Sequence, residues 1–348
     1  MAQLSYPYGV FVSDGEIFIC DTGNHRVRKV LRNGQIVTIC GTGIPGYTGD
    51  GDGGLATHAQ LYIPHSVFVS SSNQVYISEM GGNRIRKIDS HGIISTIAGK
   101  GQVGHNGEAL KIYPCGLFVT DEEEVLFADE SNNCVKKMDR NGMVTTIAGT
   151  GYGHYNGDDQ LATSAMLYGP TSVFQYKREI YISDCENDRI RKIDRFGTIS
   201  TIAESINTYP CALFVHNDEL YWTTSTTHLV LKLLPNGTVK TIVGMENQCK
   251  LLVPKGIFVD VDSQIYIADT LNHCIRIFDQ NGMMIRVIGI AGQTGYSGDV
   301  PFDFQKFPHV GTRKKELIKP FPHAYHDLIV ICVEVGLFDY EPAQKIKY

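Results

Sequence analysis

The chain has 348 residues, of which 43% are hydrophobic and 20% charged, with a formal net charge of −6. These values are typical of a soluble globular protein with one large or two ordinary domains, and they exclude an overall basic protein that would bind nucleic acid or an anionic membrane by charge alone. No apolar run approaches the ~20 residues of a membrane helix, and the N-terminus lacks the pattern of a signal peptide, so we predict a cytoplasmic protein.

A pattern of four short apolar segments begins after Pro7 and occurs six times along the chain. Turn residues separate the segments, among them Asn33-Gly34, a strong hairpin signal. In the first unit the segments lie at 10–12, 17–20, 26–29 and 36–39. Short apolar or alternating segments between turn signals predict β-strands. The six predicted units are about 4–41, 61–98, 111–148, 167–203, 208–243 and 251–292.

Six units of four strands predict an all-β fold, a six-bladed β-propeller of four-stranded antiparallel blades over residues 1–301. The first strand of each unit is apolar on both faces, as expected for an inner strand, and the third alternates basic and apolar residues, which predicts a partly exposed outer strand. Each terminal unit has four strands of its own, so we predict that the ring closes by blade packing, helped by residues before Pro7. Residues 302–348 form a C-terminal extension with one apolar strand, which either packs on the propeller or begins a further domain.

An acidic residue follows the second strand in five units, and asparagine and arginine follow it at a regular spacing. A catalytic group is needed once and not in every repeat, so we interpret these residues as structural. We expect the acid to accept hydrogen bonds from the arginine, in pairs that are partly exposed and individually weak. The fifth unit, with Thr223-Thr224 in place of the acid, is degenerate. The signature residues are Asp21, Asn24, Arg26, Arg28, Glu79, Asn83, Arg84, Asp129, Asn133, Asp184, Asn187, Arg189, Asp269, Asn272 and Arg276.

The chain has nine cysteines. Cysteines that share a repeat position, such as Cys115 and Cys211, lie at least one unit apart, which is too far for a disulfide. We therefore predict reduced thiols that mostly fill the core, in agreement with a cytoplasmic location.

Two recurring motifs carry a family resemblance. N-H-R at 24–26 and N-H-C at 272–274, within D-T-x-N-H-x-[IV]-R, resemble the NHL repeat, and so does the connecting motif G-T-G-x-x-G-Y-T-G-D-G-D-G-G-L-A-T-x-A-Q-L from Gly41 to Leu61. The resemblance covers roughly residues 4 to 300. It implies a non-catalytic scaffold for a protein or peptide partner, as in ubiquitin-linked or signalling assemblies, although this chain has no RING, B-box or coiled-coil pattern. It also implies two alternatives, a metal-dependent lyase or lactonase with its site in the channel, and an RNA-binding propeller.

Antiparallel strands place the turn between the second and third strands at the same end of the blade as the connector between units. We call this end the loop face. Long connectors at 41–60 and 149–166 make it asymmetric, and loops on a rigid scaffold commonly carry function. We therefore predict partner binding at these loops and at the channel rim, by Tyr47, Asp50, Asp52, His65, His105, His154, Tyr155 and Asp158.

Other candidate chemistries fit the sequence less well. Asp50 and Asp52 alternate as in a calcium loop, but the remaining oxygen ligands and the closing glutamate are missing. The glycines at 41 and 43 are not followed by Gly-Lys-Ser/Thr, which argues against a phosphate loop. The positions equivalent to His65 hold no zinc-binding set. We predict no catalytic residue, metal or cofactor, and the balance of acids against the basic third strands argues against RNA.

His25 and His273 occupy the same repeat position in the first and sixth units, which become neighbours when the ring closes. This placement raises the question of a paired site. We interpret both as histidines of surface turns.

Overall fold

The computed structural model describes residues 3–46, 51–99, 111–204, 206–244 and 250–295. Its strands form six antiparallel sheets, which we number as blades 1 to 6 in chain order. Blade 1 contains β1 (Pro7–Ser13), β2 (Glu16–Asp21), β3 (Arg26–Val30) and β4 (Ile36–Cys40); blade 2 contains β5 (Pro64–Val69), β6 (Val75–Glu79), β7 (Arg84–Ile88) and β8 (Ile94–Gly99); blade 3 contains β9 (Pro114–Val119), β10 (Val125–Asp129), β11 (Cys134–Met138) and β12 (Val144–Ala148).

The second half repeats this arrangement with one added strand. Blade 4 contains β13 (Gln160–Leu161), β14 (Pro170–Tyr176), β15 (Glu179–Asp184), β16 (Arg189–Ile193) and β17 (Thr198–Glu204); blade 5 contains β18 (Pro210–His216), β19 (Glu219–Thr224), β20 (Val230–Leu233) and β21 (Val239–Val243); blade 6 contains β22 (Pro254–Val259), β23 (Ile265–Asp269), β24 (Cys274–Phe278) and β25 (Met284–Ile288). Single turns of 3₁₀ helix lie at Thr22–Asn24, Ala56–His58, Glu130–Asn132, Ala162–Ser164, Cys185–Asn187 and Thr270–Asn272. The predicted six-bladed all-β propeller is confirmed.

The first strands of the six blades, β1, β5, β9, β14, β18 and β22, contact one another in a closed ring around the channel. Small residues allow this approach. A Cβ atom on Gly256 would lie 2.2 Å from the carbonyl oxygen of Tyr8, and one on Gly9 would lie 2.7 Å from that of His65. The inner strands therefore pack backbone against backbone at these positions.

The hydrophobic core consists of clusters between neighbouring blades. Between blades 1 and 2, Val27 packs with Ile77 and Ile94, and Ala56 and Leu61 of the connector join the same cluster. All five side chains are buried. The seven cysteines in the described part of the chain are also buried thiols. Within the described ranges no helix has the length and apolarity to span a bilayer.

The first long connector leaves the loop face, contrary to our prediction that it would stay there. Its middle section runs beside β8, where the Gly53 amide donates to the Ile94 carbonyl over 2.8 Å and the Ala56 amide donates to that of Gly92 over 2.9 Å. Gly92 lies in the hairpin turn at the opposite end of blade 2. In blade 4 the equivalent section forms β13, which pairs with β17. The connector thus covers the outer edge of the next blade, because an edge strand offers unpaired amides and carbonyls.

The ring closes without exchange of a strand between blades 1 and 6, as predicted. Residues before Pro7 supply several of the joining contacts. Leu4 forms a parallel bridge with Thr294, and the Asn24 side chain donates to the Gly295 carbonyl over 2.8 Å. The Thr270 hydroxyl donates to the carbonyl of Pro7 over 2.7 Å. The predicted extension at 302–348 lies outside the described residues.

Candidate functional site on the loop face and in the channel

A closed ring of phenylalanine side chains lies within the channel. Neighbouring ring centroids are 4.6–5.2 Å apart around the whole circle. Its members are Phe11, Phe68, Phe118, Phe174, Phe214 and Phe258, one from each inner strand. These distances and the tilted or edge-on angles are those that aromatic pairs prefer. The phenylalanine ring therefore gives the channel an apolar constriction.

A small cavity of about 80 Å³, which we call the vestibule, occupies the head of the channel. Five of the six phenylalanines of the ring line it, and its polar rim comes from the residue that follows the opening proline of five inner strands. In the described structure the rim residues that line it are Tyr8, His65, Thr171, Cys211 and Lys255. His65 thus lies at the channel rim, where the sequence placed it, and its ring contacts that of Tyr8 at 5.2 Å between centroids.

The repeated acid is buried in all five blades that have one, which corrects our expectation of partly exposed pairs. Asp21 and Arg28 are both fully buried and 3.6 Å apart, and Arg191 approaches Asp184 to 3.3 Å with both side chains inaccessible. Burial raises the pKa of Asp184 to about 6, because the loss of solvent outweighs the opposing hydrogen bonds and the charge of Arg191. The carboxylates also accept from the backbone, as in the 2.7 Å bond from the Tyr168 amide to Asp184.

Blade 2 has the most extensive version of this network. Glu79 accepts from both Arg84 and Arg86 at 3.0 Å. In blade 1, by contrast, Arg26 donates to the backbone carbonyls of Asn24 and Thr42. The remaining members of the signature follow the same scheme. The Asn24, Asn187 and Asn272 side chains donate to the acid of their own blade, Lys136 pairs with Asp129, and Arg276 pairs with Asp269. In blade 3 the asparagine that donates to the acid is Asn132 and not the predicted Asn133.

Blade 5 supports a structural role for these pairs. Thr224 stands where the acid would be, paired with Pro210, and Leu231, paired with Trp222, stands where the arginine would be. Both charges are missing together, and both replacements are buried. A buried ion pair can be exchanged for neutral residues at little cost only when both partners change. Blade 5 therefore has the architecture of the other blades without their ion pair.

In five of the six blades, a side chain at the end of the turn between the second and third strands joins the blade to the next. We call this contact the latch. The residue is left-handed in all six blades, with φ between 50° and 60° at His25, Asn83, Asn133, Asp188, His228 and His273. Asparagine, aspartate and histidine are the non-glycine residues most often found in this conformation.

Five latches accept a hydrogen bond from the amide just before the next inner strand. His25 Nδ1 accepts from Ile63 over 3.3 Å, His228 Nδ1 from Val253 over 3.1 Å and His273 Nδ1 from Tyr6 over 3.1 Å. Asn133 and Asp188 accept from Gly169 and Tyr209, each over 2.9 Å. His25 and His273 thus hold separate junctions, and our interpretation of them as ordinary surface-turn residues is wrong.

The latch between blades 2 and 3 is incomplete. Asn83 Oδ1 is buried and has no hydrogen-bond partner within the described structure. The reason is that the segment before the inner strand of blade 3 is one residue shorter. One residue, Tyr113, separates the buried Ile112 from Pro114, whereas two residues separate the buried Leu61 from Pro64 in blade 2. The Tyr113 amide instead donates to Asp129 over 2.7 Å. The sequence itself shows this difference in length, because blade 3 begins with I-Y-P at 112–114 where blade 2 begins with L-Y-I-P at 61–64.

The predicted binding residues that the structure describes do not form one site. Tyr47, Asp50 and His105 lie outside the described residues. Asp52 reaches Arg86 at 2.6 Å and Asp158 reaches Arg191 at 2.9 Å, so both carboxylates extend the buried ion-pair networks of blades 2 and 4.

Tyr155 and His154 are also separated from the vestibule. The Tyr155 ring lies under the guanidinium group of Arg189, 4.0 Å from its centre, and its hydroxyl donates to Asp158 over 3.1 Å. His154 is exposed on the loop face, and its carbonyl accepts from Asn187 over 3.0 Å. In the part of the chain that the structure describes, no group of three or more His, Cys, Asp or Glu residues is arranged to hold a metal ion.

Sequence reasoning missed a group of apolar side chains on the loop face. Tyr152, Tyr168 and Ile206 have exposed fractions of 74%, 45% and 80%, and we call them the apolar sector. Gly153 lies so close to Tyr168 that a Cβ atom there would be 2.6 Å from the ring. The turn that ends at Asp188 is hydrogen-bonded on both sides, since its Glu186 amide donates to the Tyr168 carbonyl and its Asp188 carboxylate accepts from the Asn207 amide.

Two family models match the chain. An NHL repeat model matches residues 4–30, and a teneurin NHL domain model matches residues 44–106. These segments cover the first three strands of blade 1 and the connector with blade 2.

The chain is an NHL-repeat β-propeller.

One curated protein resembles this NHL propeller in sequence, and two solved structures resemble it in fold. Teneurin-m of Drosophila melanogaster is 31% identical over 110 residues, which are 28% of this chain and 4% of that protein. The chain thus spans only a small part of the teneurin that it matches. A virginiamycin B lyase from Staphylococcus aureus superposes with a TM-score of 0.56 at 16% identity, over 86% of this chain and 90% of the lyase chain. A chain of a nidogen/laminin complex superposes with a TM-score of 0.59 at 13% identity, over 79% of this chain and 92% of that chain. At such identities these structures show the shared fold alone.

Proposed function

We propose that this NHL propeller is a non-catalytic interaction scaffold that binds a protein or peptide on its loop face. The supporting observation is the apolar sector, in which Tyr152, Tyr168 and Ile206 are exposed around one turn of blade 4. Single exposed apolar residues are ordinary, but grouped ones mark interaction sites. Tyrosine also suits such sites because it offers a large rigid ring and a hydroxyl at a low cost in side-chain entropy.

The rest of the loop face supports the same proposal. Carboxylates that the sequence offered as binding groups, Asp52 and Asp158, are engaged by buried arginines. The sector therefore provides apolar contact on a scaffold that ion pairs and latches hold rigid, and little ordering is required when a partner binds. A chain of the same fold in a nidogen/laminin complex occurs within a protein assembly. The cytoplasmic location and the lyase and RNA-binding alternatives stay predictions.

The proposal is tested by affinity capture from a native cell extract with quantitative mass spectrometry. A Tyr152→Ser/Tyr168→Ser variant should lose at least tenfold of its specifically captured protein. The matched control, Phe196→Ser/Val261→Ser, removes two side chains of similar exposure, 73% and 89%, at the opposite end of the blades. An unchanged set of partners in the sector variant, or an equal loss in both variants, would refute binding at the loop face.

A further inference from the structure

The surroundings of the apolar sector carry more acidic than basic groups. On the described loop-face segments that border it, 130–133, 150–157, 168–169, 186–189, 204 and 206–209, four carboxylates stand against one guanidinium group, that of Arg189. Lys111 adds a second base nearby, since its carbonyl accepts from the Asn132 side chain over 2.9 Å. The four acids are Glu130, Glu186, Asp188 and Glu204. A local excess of negative charge attracts basic partners and disfavours acidic ones.

One of these acids, Glu186, is joined to Tyr168, an exposed ring of the apolar sector. The Glu186 amide donates to the Tyr168 carbonyl over 3.0 Å. A Cβ atom on Gly169, the next residue along the chain, would lie 2.8 Å from the Cγ atom of Glu186. The Glu186 side chain is only partly buried. Tyr168 and Glu186 therefore offer an aromatic ring and a carboxylate to a partner on adjoining segments of the loop face.

An arginine, a tyrosine and a glutamate already occur together on this face. The guanidinium group of Arg189 lies 4.0 Å from the centre of the Tyr155 ring, and its Nη2 atom donates to the Glu204 carboxylate over 2.9 Å. A planar guanidinium group can stack on a ring and donate to a carboxylate at the same time, whereas the ammonium group of lysine lacks this flat shape. The loop face thus contains an internal example of the contact that Tyr168 and Glu186 can make with a partner.

We propose that the apolar sector binds a peptide segment in which arginine stands beside apolar residues. The guanidinium group of the peptide stacks on the Tyr168 ring and pairs with Glu186, while its apolar side chains pack against Tyr152 and Ile206. The excess of carboxylates around the sector selects such a segment over a neutral or acidic one. This inference rests on the proposed function, because it names the chemistry of the loop-face partner.

Random peptides displayed on phage and selected on the full chain test this chemistry. The enriched sequences should contain arginine more often than lysine and carry a positive net charge. Replacement of their arginine by citrulline, which keeps the shape and removes the charge, should weaken binding about tenfold in fluorescence anisotropy. Enrichment of neutral or acidic peptides, of lysine as often as arginine, or of no peptide at all would overturn the inference.

Matched variants locate the bound peptide. Glu186→Gln should weaken an enriched peptide about two- to fivefold, since one partly exposed ion pair contributes little. Glu122→Gln, at an exposed position in the hairpin at the opposite end of blade 3, should bind as wild type, and an equal effect of the two changes would overturn the inference.

The tyrosines separate this inference from the proposed function. Tyr152→Ser/Tyr168→Ser should abolish binding of the enriched peptide, with Tyr152→Ser alone as a second variant should the double variant fail to fold. Peptides that keep wild-type affinity for both variants would refute binding at the loop face and with it the proposed function. Neutral or acidic peptides that need the tyrosines would overturn the preference for arginine alone.

Discussion

The latch at His273 should make the closing junction of the ring sensitive to acid. Its Nδ1 accepts the Tyr6 amide, and a protonated imidazole has no lone pair with which to accept. Asn133 performs the same task in blade 3 with a side chain that does not titrate. His273→Asn should therefore keep the acceptor and the left-handed backbone while it removes the pH dependence.

The size of the effect follows from the pKa of His273, which burial lowers from 6.5 to about 4. Because the folded value is the lower one, this histidine contributes full stability above pH 6.5 and loses it as the pH falls through the range from 6.5 to 4. Linkage gives a loss of about 2 kcal/mol at pH 5 and of about 3 kcal/mol at pH 4. The side chain is only 7% exposed, so solvent screening reduces these figures little.

Thermal unfolding of wild type and His273→Asn at pH 7.5 and pH 5 measures the difference. Wild type should lose about 4 °C more than the variant on acidification, since ~1 kcal/mol corresponds to ~2–4 °C in a chain of 150–250 residues. Buried carboxyls such as Asp184 titrate in both proteins and cancel in the comparison. An equal fall in Tm for the two proteins would refute the latch as a titrating contact.

Three further substitutions test the packing of the blades. Arg191→Leu should lower the unfolding free energy by about 3–5 kcal/mol because it leaves buried carboxylates unpaired. Asp184→Thr/Arg191→Leu, which copies blade 5, should cost less than the single change. Additive costs in a double-mutant cycle would contradict this expectation. Phe174→Ala should lower the unfolding free energy by about 3 kcal/mol, whereas the control Phe196→Ala, at an exposed position, should lower it by less than about 0.5 kcal/mol. Similar Tm values for the two variants would count against the phenylalanine ring as a packed element. Gly256→Ala should cost about 1–3 kcal/mol, because its Cβ atom would meet a neighbouring backbone oxygen at 2.2 Å; an unchanged denaturation midpoint would show that the inner strands can separate freely.

Local patterns were sufficient to predict the blades. The prolines, hairpin signals and alternating apolar residues each specify a strand or a turn over a few residues, and six repetitions remove most ambiguity. The burial of the acids agrees with their structural interpretation, which followed because each repeats in register with a basic residue of the third strand, an arginine in four blades and Lys136 in blade 3. The expectation that these pairs are exposed was wrong, since the alternation of a strand says which residues share a face but not what covers that face. Here the connector supplies Asp52 and Asp158 from outside the repeat.

Contacts between blades were harder to anticipate. Whether His25 faces solvent or accepts a hydrogen bond from the Ile63 amide depends on how two blades are oriented. A single sequence does not specify that orientation. The path of the long connector along β8 could not be predicted for the same reason. The space that Ala56 and Leu61 fill exists only once blades 1 and 2 have packed together. The apolar sector likewise needed the fold to bring Tyr152, Tyr168 and Ile206 to one turn.

The mode of closure has a consequence for the order of events during synthesis. Leu4 joins Thr294, so the closing contact of the first blade with its second neighbour cannot form until the chain has been made as far as Thr294. Contacts of such long sequence separation are entropically expensive and form slowly. Until then the side of blade 1 that receives blade 6 is open to other chains, and exposed apolar surface of this kind promotes aggregation. The nascent propeller is therefore most exposed to aggregation in the interval between the folding of its first blade and the synthesis of its last.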